Sequence, residues 1–599
     1  MITPPKLNPA TVPMPQPFDC RPQAIEKWLE NLPRASVGRT AELLYKALQD
    51  IYLQDLKAAE RFRTLEALRE IVHYVTANMR KHFGGLAYPL PKKIMLIASA
   101  VQSIFDYMAK GYRQVFHDMQ KQNFLFVDKK ILATTVYRSI TYLHRSLMVT
   151  YEIYAAYHHD YWEQLHELYH YAHIHKIARQ NITDRFLSQQ DKSTIEQEYL
   201  RAILLFMAEP YHLRPGEITL TNDYIEHWYG LTDIQTVQEK KELDEHGLLV
   251  VELDRDQAPL FTGNAPITSA PEHCCIIHTR RLLDELNKEL AKRIEAQRGH
   301  HRPVIKKTIS IGLLQRLIES WGHTRRRRYP RQQIFDKVNI TIGLHNTHMQ
   351  LTYEQFITDS SLAKQHHNGF KKPKYESIDI KGVTGDQTDV WSTVYAWAAN
   401  NQTDLPKAIP TEQDDILAYR VKQDNWTLLN ESANGFALMS VEKQANKIQV
   451  GEIISMQRAG SKVREIGVVR WLKAYGNTGV EMGGMLLAPS AIPIGMLVDD
   501  GSHGDKVVNR GLMLPLMTAL NRPESIMTFS RHYKTNTIIQ INQPGEADFS
   551  VRLTKCIADN ETISQFLFVR LEHQLPEHHP DESSAEIDLS RYKDVWQNI

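Results

Sequence analysis

Five arginines crowd into seven residues of this 599-residue chain, Arg325-Arg326-Arg327-Arg328-Tyr329-Pro330-Arg331. A guanidinium can grip a phosphate or a guanine edge with paired hydrogen bonds, and it can stack on a base face. Arg327 and Arg331 stand four residues apart, so they can close over an anionic ligand like a clasp. Taken alone, such a run is more often a solvated linker face or an unselective phosphate holder. Further along, Asn430-Glu431-Ser432-Ala433-Asn434-Gly435 reads N-x-S-x-x-G between two β-type runs. Asn430 offers a donor and acceptors to a purine edge or to the local turn, and Ser432 adds a small hydroxyl. Gly435 is free to take a positive φ and let the backbone approach a ligand.

A third stretch suggests different chemistry. His166-Glu167-Leu168-Tyr169-His170 matches H-E-x-x-H, which on a helix sets two imidazoles on one face for zinc, with Glu as general base. His158, His159, His173 and His175 lie nearby, but the chain has 27 histidines to supply coincidences. There is no glycine-spaced third histidine downstream. Trp162, Leu165, Tyr169 and Ala172 also follow part of the tetratricopeptide pattern, which makes this segment core. The expectation is no metal, with His166 and His170 the weak candidates.

The elements that must position these residues divide the chain. Residues 1–20 form a proline-rich tail. From 21 to 210 the periodicity is helical: Leu65, Leu68, Ile71, Val72 and Val75 share one face, Lys92 to Phe116 repeats the pattern, and Asp128 is placed to cap the run from Val127 to Tyr157. This predicts an antiparallel helical array. Residues 211–322 are mixed but mainly helical, with a strand over Gly247–Leu253 that can pair with 258–261. Helices are predicted over Thr279–Ala296 and Ile309–Trp321.

After the arginines the period changes to two. Strands are predicted over Lys337–Gly343, from Trp426, from Phe436, over Ile448–Ile454, over Glu465–Leu472 and from Gly479. Short runs with Gly/Asn turns argue a small antiparallel barrel. The order is distinctive: R-x-x-x-R, strand, N-x-S-x-x-G, then Val450-Gly451-Glu452-Ile453-Ile454, Gly467-Val468-Val469-Arg470-Trp471-Leu472 and Gly479-Val480-Glu481-Met482-Gly483. Over 323–487 this resembles the PilZ domain, the bacterial receptor for cyclic di-GMP. The resemblance implies binding roles for Arg327, Arg331, Asn430, Ser432 and Gly435, with Arg326 and Arg328 as auxiliaries; Asn430 stands where Asp is also common in the family. It departs from compact members in an insertion over about 345–415, placed in a barrel loop, where Leu351 to Lys364 could add a helix. Residues 488–573 add further strands, as a second barrel or an extension of the first, and an acidic tail follows from 574.

The totals limit the alternatives. Lys+Arg of 71 against Asp+Glu of 70 argues against a dedicated nucleic-acid binder. Four cysteines without metal spacing, no signal peptide and no apolar run long enough to span a membrane point to the cytoplasm. The β half lacks a nucleophile with an adjacent base and a G-x-x-x-x-G-K-[ST] loop, so a receptor rather than an enzyme is expected. It would have cyclic di-GMP as ligand, no cofactor, and a protein partner for the helical half. The competing expectations are a scaffold with a non-binding barrel, then nucleic-acid binding or a zinc hydrolase.

Overall fold

A computed structural model of the chain describes residues 18–121, 128–188, 190–298, 309–322, 330–358, 424–441, 447–476, 479–498, 508–517, 522–530, 533–543, 547–560 and 562–571. The described residues fall into two compact units that divide between Arg326 and Arg327.

The first unit is helical. Its helices are α1 (Pro22–Glu30), α2 (Val37–Leu53), α3 (Ala58–Arg80), α4 (Lys92–Gln120), α5 (Lys129–Glu152) and α6 (Tyr161–Ile174). A short hairpin, β1 (Ile182–Thr183) and β2 (Lys192–Ser193), precedes α7 (Ile195–Met207) and α8 (Glu217–Trp228). Asp128 caps α5 as the sequence predicts, its carboxylate accepting from Lys130 N at 2.8 Å and Ile131 N at 3.2 Å. α5 is buried nearly all round and packs against α4, α6, α7 and α8. That explains why its apolar residues form no single stripe.

Burying α5 also buries Arg138, whose charge is met by Asp184 from the loop after β1. Arg138 donates to Asp184 at 2.6 Å, and Arg69 of α3 donates to the other carboxylate oxygen at 2.5 Å. Asp184 is 1% exposed. Burial pushes its pKa up, but the two guanidiniums outweigh that and hold it below the usual carboxylate range.

A four-stranded antiparallel sheet follows, β3 (Asp233–Thr236), β4 (Leu249–Glu252), β5 (Leu260–Phe261) and β6 (Cys274–His278), in the order β3-β6-β4-β5. The expected pairing of the 247–253 run with 258–261 is present, Leu249 opposite Phe261. Alternation splits the sheet between two cores. Cys275 and Ile277 join the helical core, while Cys274 and Ile276 pack with Val237 and Val250 on the other face. α9 (Arg280–Arg298) and α10 (Ile311–Gly322) close the unit. Trp321 of α10 is fully buried, donates to Leu204 O at 2.9 Å and meets Trp228 edge to face.

The second unit holds two closed six-stranded barrels. The first comprises β7 (Gln332–Ile342), β8 (Asp424–Ser432), β9 (Gly435–Ser440), β10 (Ile453–Arg458), β11 (Arg464–Tyr475) and β12 (Gly479–Ala488), in the order β10-β11-β12-β9-β8-β7. The second comprises β13 (Ile492–Val498), β14 (Val508–Leu514), β15 (Ser525–Phe529), β16 (Ile538–Asn542), β17 (Phe549–Asp559) and β18 (Ile563–Leu571), in the order β13-β14-β15-β18-β17-β16. The C-terminal strands are thus a barrel of their own.

Two expectations need correction here. The strand predicted from Ile448 begins only at Ile453, because Gly451 turns the chain at φ +85°. The helix expected from Leu351 starts earlier, as α11 (Leu344–Thr358), which packs on the barrels; its expected end at Lys364 and the rest of 345–415 lie outside the described residues from 359 on. Leu344 and Leu351 of α11 pack in one cluster with Ile453, Ile466 and Val468 of the first barrel and Leu512, Leu514 and Met527 of the second. Glu354 of α11 pairs at 2.8 Å with Arg464, whose side chain is fully buried.

Candidate functional site

The N-x-S-x-x-G stretch is the hairpin that joins β8 to β9. Asn430 and Ser432 end β8, Ala433 and Asn434 make the turn, and Gly435 starts β9. Ser432 pairs with Gly435, and its hydroxyl donates to Gly435 O at 3.3 Å. The hairpin is pinned to β12 by Leu486 N, which donates to Asn434 O at 3.0 Å.

A bulge decides which way the motif faces. Leu428 is buried in the barrel interior and pairs with Leu438, whereas Asn430 pairs with Ala437. Leu429 is the extra residue between them. It shifts Asn430 and Ser432 off the interior side, so the motif lies on the outer face of the barrel. One transverse row then runs across five strands: Gln333, Asn430, Ala437, Gly483 and Trp471.

Glycines of β12 make room for rings. A Cβ on Gly483 would overlap the Trp471 indole, and one on Gly484 would overlap the Phe436 ring. Gly435 makes room for backbone instead. Its φ is outside the left-handed region, which corrects the expected positive φ; a Cβ there would come within 3.0 Å of Gly484 O. The close approach of β12, not the turn, favours glycine at 435.

Arg327, with Arg325, Arg326, Arg328 and Tyr329, lies outside the described residues. Arg331 is described, is exposed, and directly precedes β7. In the register of β7 with β8, Gln332 lies opposite Glu431 and Gln333 opposite Asn430. Arg331 is therefore delivered to the N-x-S-x-x-G hairpin by strand pairing, although the whole β7–β8 connection separates them in sequence. Glu431, the middle residue of N-x-S, accepts from Arg458 of β10 at 2.6 Å, and Glu465 holds the same guanidinium at 2.8 Å. These two carboxylates neutralise Arg458 and brace the hairpin against β10.

Two carbonyl oxygens at the site have no partner among the described residues. Asn430 Oδ1 and Asn434 Oδ1 are both shielded from solvent and accept no hydrogen bond from them. A buried acceptor left unpaired carries a desolvation cost. Asn434 was not among the expected residues; as a variable position of the motif it carries no sequence signal of its own. Trp471 was quoted in the G-VVRWL run without a site role, and only the register places it in the row with Asn430.

The H-E-x-x-H segment falls on α6 as expected, but it faces inward. His166 is fully buried. Its Nε2 lies 2.9 Å from Gln257 O and its Nδ1 2.7 Å from Tyr199 Oη. A carbonyl can only accept, so Nε2 carries the proton and Nδ1 accepts from the tyrosine. Burial lowers the imidazole pKa to about 4, against the pull of the Gln257 bond, so the ring is neutral with no lone pair left for a metal. His170 instead stacks edge to face with His273. Among the described residues no group of His, Cys, Asp and Glu could hold a metal ion. Accordingly, equimolar zinc should leave the melting temperature unchanged, while His166→Ala should cost about 1–3 kcal/mol in thermal denaturation by orphaning its two partners. A zinc-induced rise would reopen the metal reading.

Comparison with known proteins agrees with the architecture region by region. Family models match described as "Cyclic-di-GMP receptor FimW, N-terminal domain" over residues 23–240, "middle PilZ domain" over 248–493 and "FimW C-terminal beta-barrel domain" over 497–571. The middle match starts well before β7 and takes in α9 and α10, which pack in the helical unit. A curated relative, "Cyclic-di-GMP receptor FimW" of Pseudomonas aeruginosa, is 26% identical over 571 residues, covering 92% of this chain and 90% of the relative. No solved structure matches. Among the described residues no helix is long and apolar enough to cross a membrane. With its motif hairpin on the outer face of a closed six-stranded barrel, behind a long helical region and ahead of a second barrel, the chain belongs to the PilZ-domain family.

Proposed function

We propose that the chain is a cyclic di-GMP receptor that couples nucleotide binding on its first barrel to a protein partner of its helical region. The observation that supports the reading is the β7–β8 register, in which the two residues after Arg331 lie opposite Glu431 and Asn430. Cyclic di-GMP presents two phosphates and two guanines. In this proposal Arg327 and Arg331 clasp phosphate and guanine, with Arg326 and Arg328 adding positive charge. Asn430 and Ser432 meet a guanine edge from the outer face, where Asn430 Oδ1 can accept from a ring N–H. Gly435 keeps β8, β9 and β12 close enough to hold that face flat. The relative's printed name, a cyclic di-GMP receptor, supports the ligand class.

The role is a receptor's, not an enzyme's. Closing the arginine segment favours one arrangement of the chain only if the ligand binds it better, and that difference is what a partner reads. The four cysteines are all free thiols, which suits a reducing compartment, and we place the receptor in the cytoplasm. The division at residues 210, 322, 487 and 573 read from the sequence belongs to the same proposal.

The test is calorimetric titration of the full-length protein with cyclic di-GMP, with GTP as control. Binding in the micromolar range or tighter, absent for GTP, is the expected result. Well-folded protein that binds neither nucleotide would overturn the receptor reading and leave a scaffold with a silent barrel.

A further inference from the structure

Phe335 is out of place for a strand residue. Its φ is +84°, in the left-handed region that bulky aromatic side chains avoid, and it is 65% exposed. It sits in the bulge of β7: Gln333 pairs with Asn430 and Asp336 with Leu428, so Ile334 and Phe335 together oppose Leu429. Ile334 is half-buried, while Phe335 stands in solvent. A bulge that only had to bend the strand would be served better by glycine at a positive φ. The chain instead accepts both backbone strain and an exposed aromatic ring at one residue.

Strain of this kind persists where the site uses it. The surroundings of Phe335 suit a flat, hydrogen-bonding ligand. Arg331 is four residues before it, and Asn430 is paired two residues away with Gln333. Asn430 and Asn434 bring two solvent-shielded acceptors without a partner among the described residues. A guanine offers N–H donors along its edge and two π faces. Aromatic rings on barrel surfaces take such faces, and arginine planes take the other side.

We infer that Phe335 is a base-stacking residue of the nucleotide site, its ring covering one face of a guanine whose edge meets the Asn430 hairpin. The inference rests on the receptor reading above and names a contact that the R-x-x-x-R and N-x-S-x-x-G motifs do not include. On this view the bulge holds the ring in its bound orientation in advance, so little ordering remains to oppose binding.

The experiment uses the full-length chain and three variants, Phe335→Ala, Phe335→Gly and Phe335→Trp. Each is titrated with cyclic di-GMP and melted without ligand. Stacking on one base predicts that the alanine and glycine variants bind about 10- to 100-fold more weakly. Phe335→Trp should bind as wild type does. In the ligand-free melts Phe335→Gly should equal or exceed wild type, because glycine relieves the strain. Ala and Gly variants that bind within about twofold of wild type would overturn the stacking role alone. So would a Gly variant whose affinity and ligand-free melting temperature fall together, since that marks Phe335 as structural. Wild-type protein that binds no nucleotide would overturn the receptor reading first, and the stacking role with it.

Discussion

Arg331→Ala weakens cyclic di-GMP binding by about 100-fold while leaving the ligand-free protein's melting temperature within a degree or two. The size follows from the bond lost. Hydrogen bonds to a charged group are worth about 1.5–3 kcal/mol each, and a guanidinium makes them in pairs. The small effect on stability follows from position: Arg331 is exposed and precedes β7, outside the barrel's pairing. Arg331→Lys should recover only part of the loss, since an ammonium is a point charge without the planar fork. The measurement is a calorimetric titration of all three proteins at one ionic strength, because phosphate contacts are screened by salt. Unchanged affinity in Arg331→Ala would remove the clasp from the account, whatever the wild type binds.

The second large effect lies in the helical unit. Asp184→Ala should destabilise the protein by about 3 kcal/mol, because it leaves two buried guanidiniums, Arg69 and Arg138, with only the partly exposed Glu66, 3.3 and 3.2 Å away, as counter-charge. A shift of about 10 °C in the first thermal transition is the expected signal. The same carboxylate predicts a pH dependence. Its folded pKa is depressed, so its contribution is fully present above the ordinary carboxylate pKa. That contribution is lost as pH falls through the lower, folded value. Wild type should therefore lose stability in strong acid by a component that Asp184→Asn lacks. If the asparagine variant melts like wild type at neutral pH, the triad is not what holds α3, α5 and the β1 loop together. Nucleotide binding gives an independent check: these residues belong to the other compact unit, so at a temperature where Asp184→Asn is folded its barrel should still bind cyclic di-GMP.

Much of the fold was legible where a period repeats without interference. The α3 and α4 stripes, the capping carboxylate of Asp128 and the alternating runs of β7 to β9 are local signals, and the local chain obeys them. β13 and β14 show no clean alternation, for a local reason too. Pro493, Gly495 and Gly511 interrupt their alternation, yet Gly511 is needed because a Cβ there would meet Met527 O at 2.8 Å. The first two turns of α11 are not legible, because their face toward the second barrel carries His345 and His348 in place of apolar residues. His348 is half-buried, hydrogen-bonds Ile494 O at 3.3 Å and has its pKa pushed down to about 4, by burial first and then by Arg510. A polar residue made compatible with burial by a partner on another strand cannot be recognised from its own neighbours.

By itself, the sequence determined the elements and the order of the motifs: a helical region, then strands, with R-x-x-x-R ahead of N-x-S-x-x-G. The alternation of a strand also put Asn430 and Ser432 on one side together. Which side it is was decided by the Leu429 bulge, and a bulge shows only when a partner strand supplies the count of two against one. Tertiary structure likewise turned His166 into core, gave Gly435 its reason in the nearness of β12, and brought Arg331 to Asn430 across the longest connection in the barrel. Periodicity along a chain reports what each residue prefers locally. Register, facing and proximity depend on which segments pair, and that is settled only when the barrel closes.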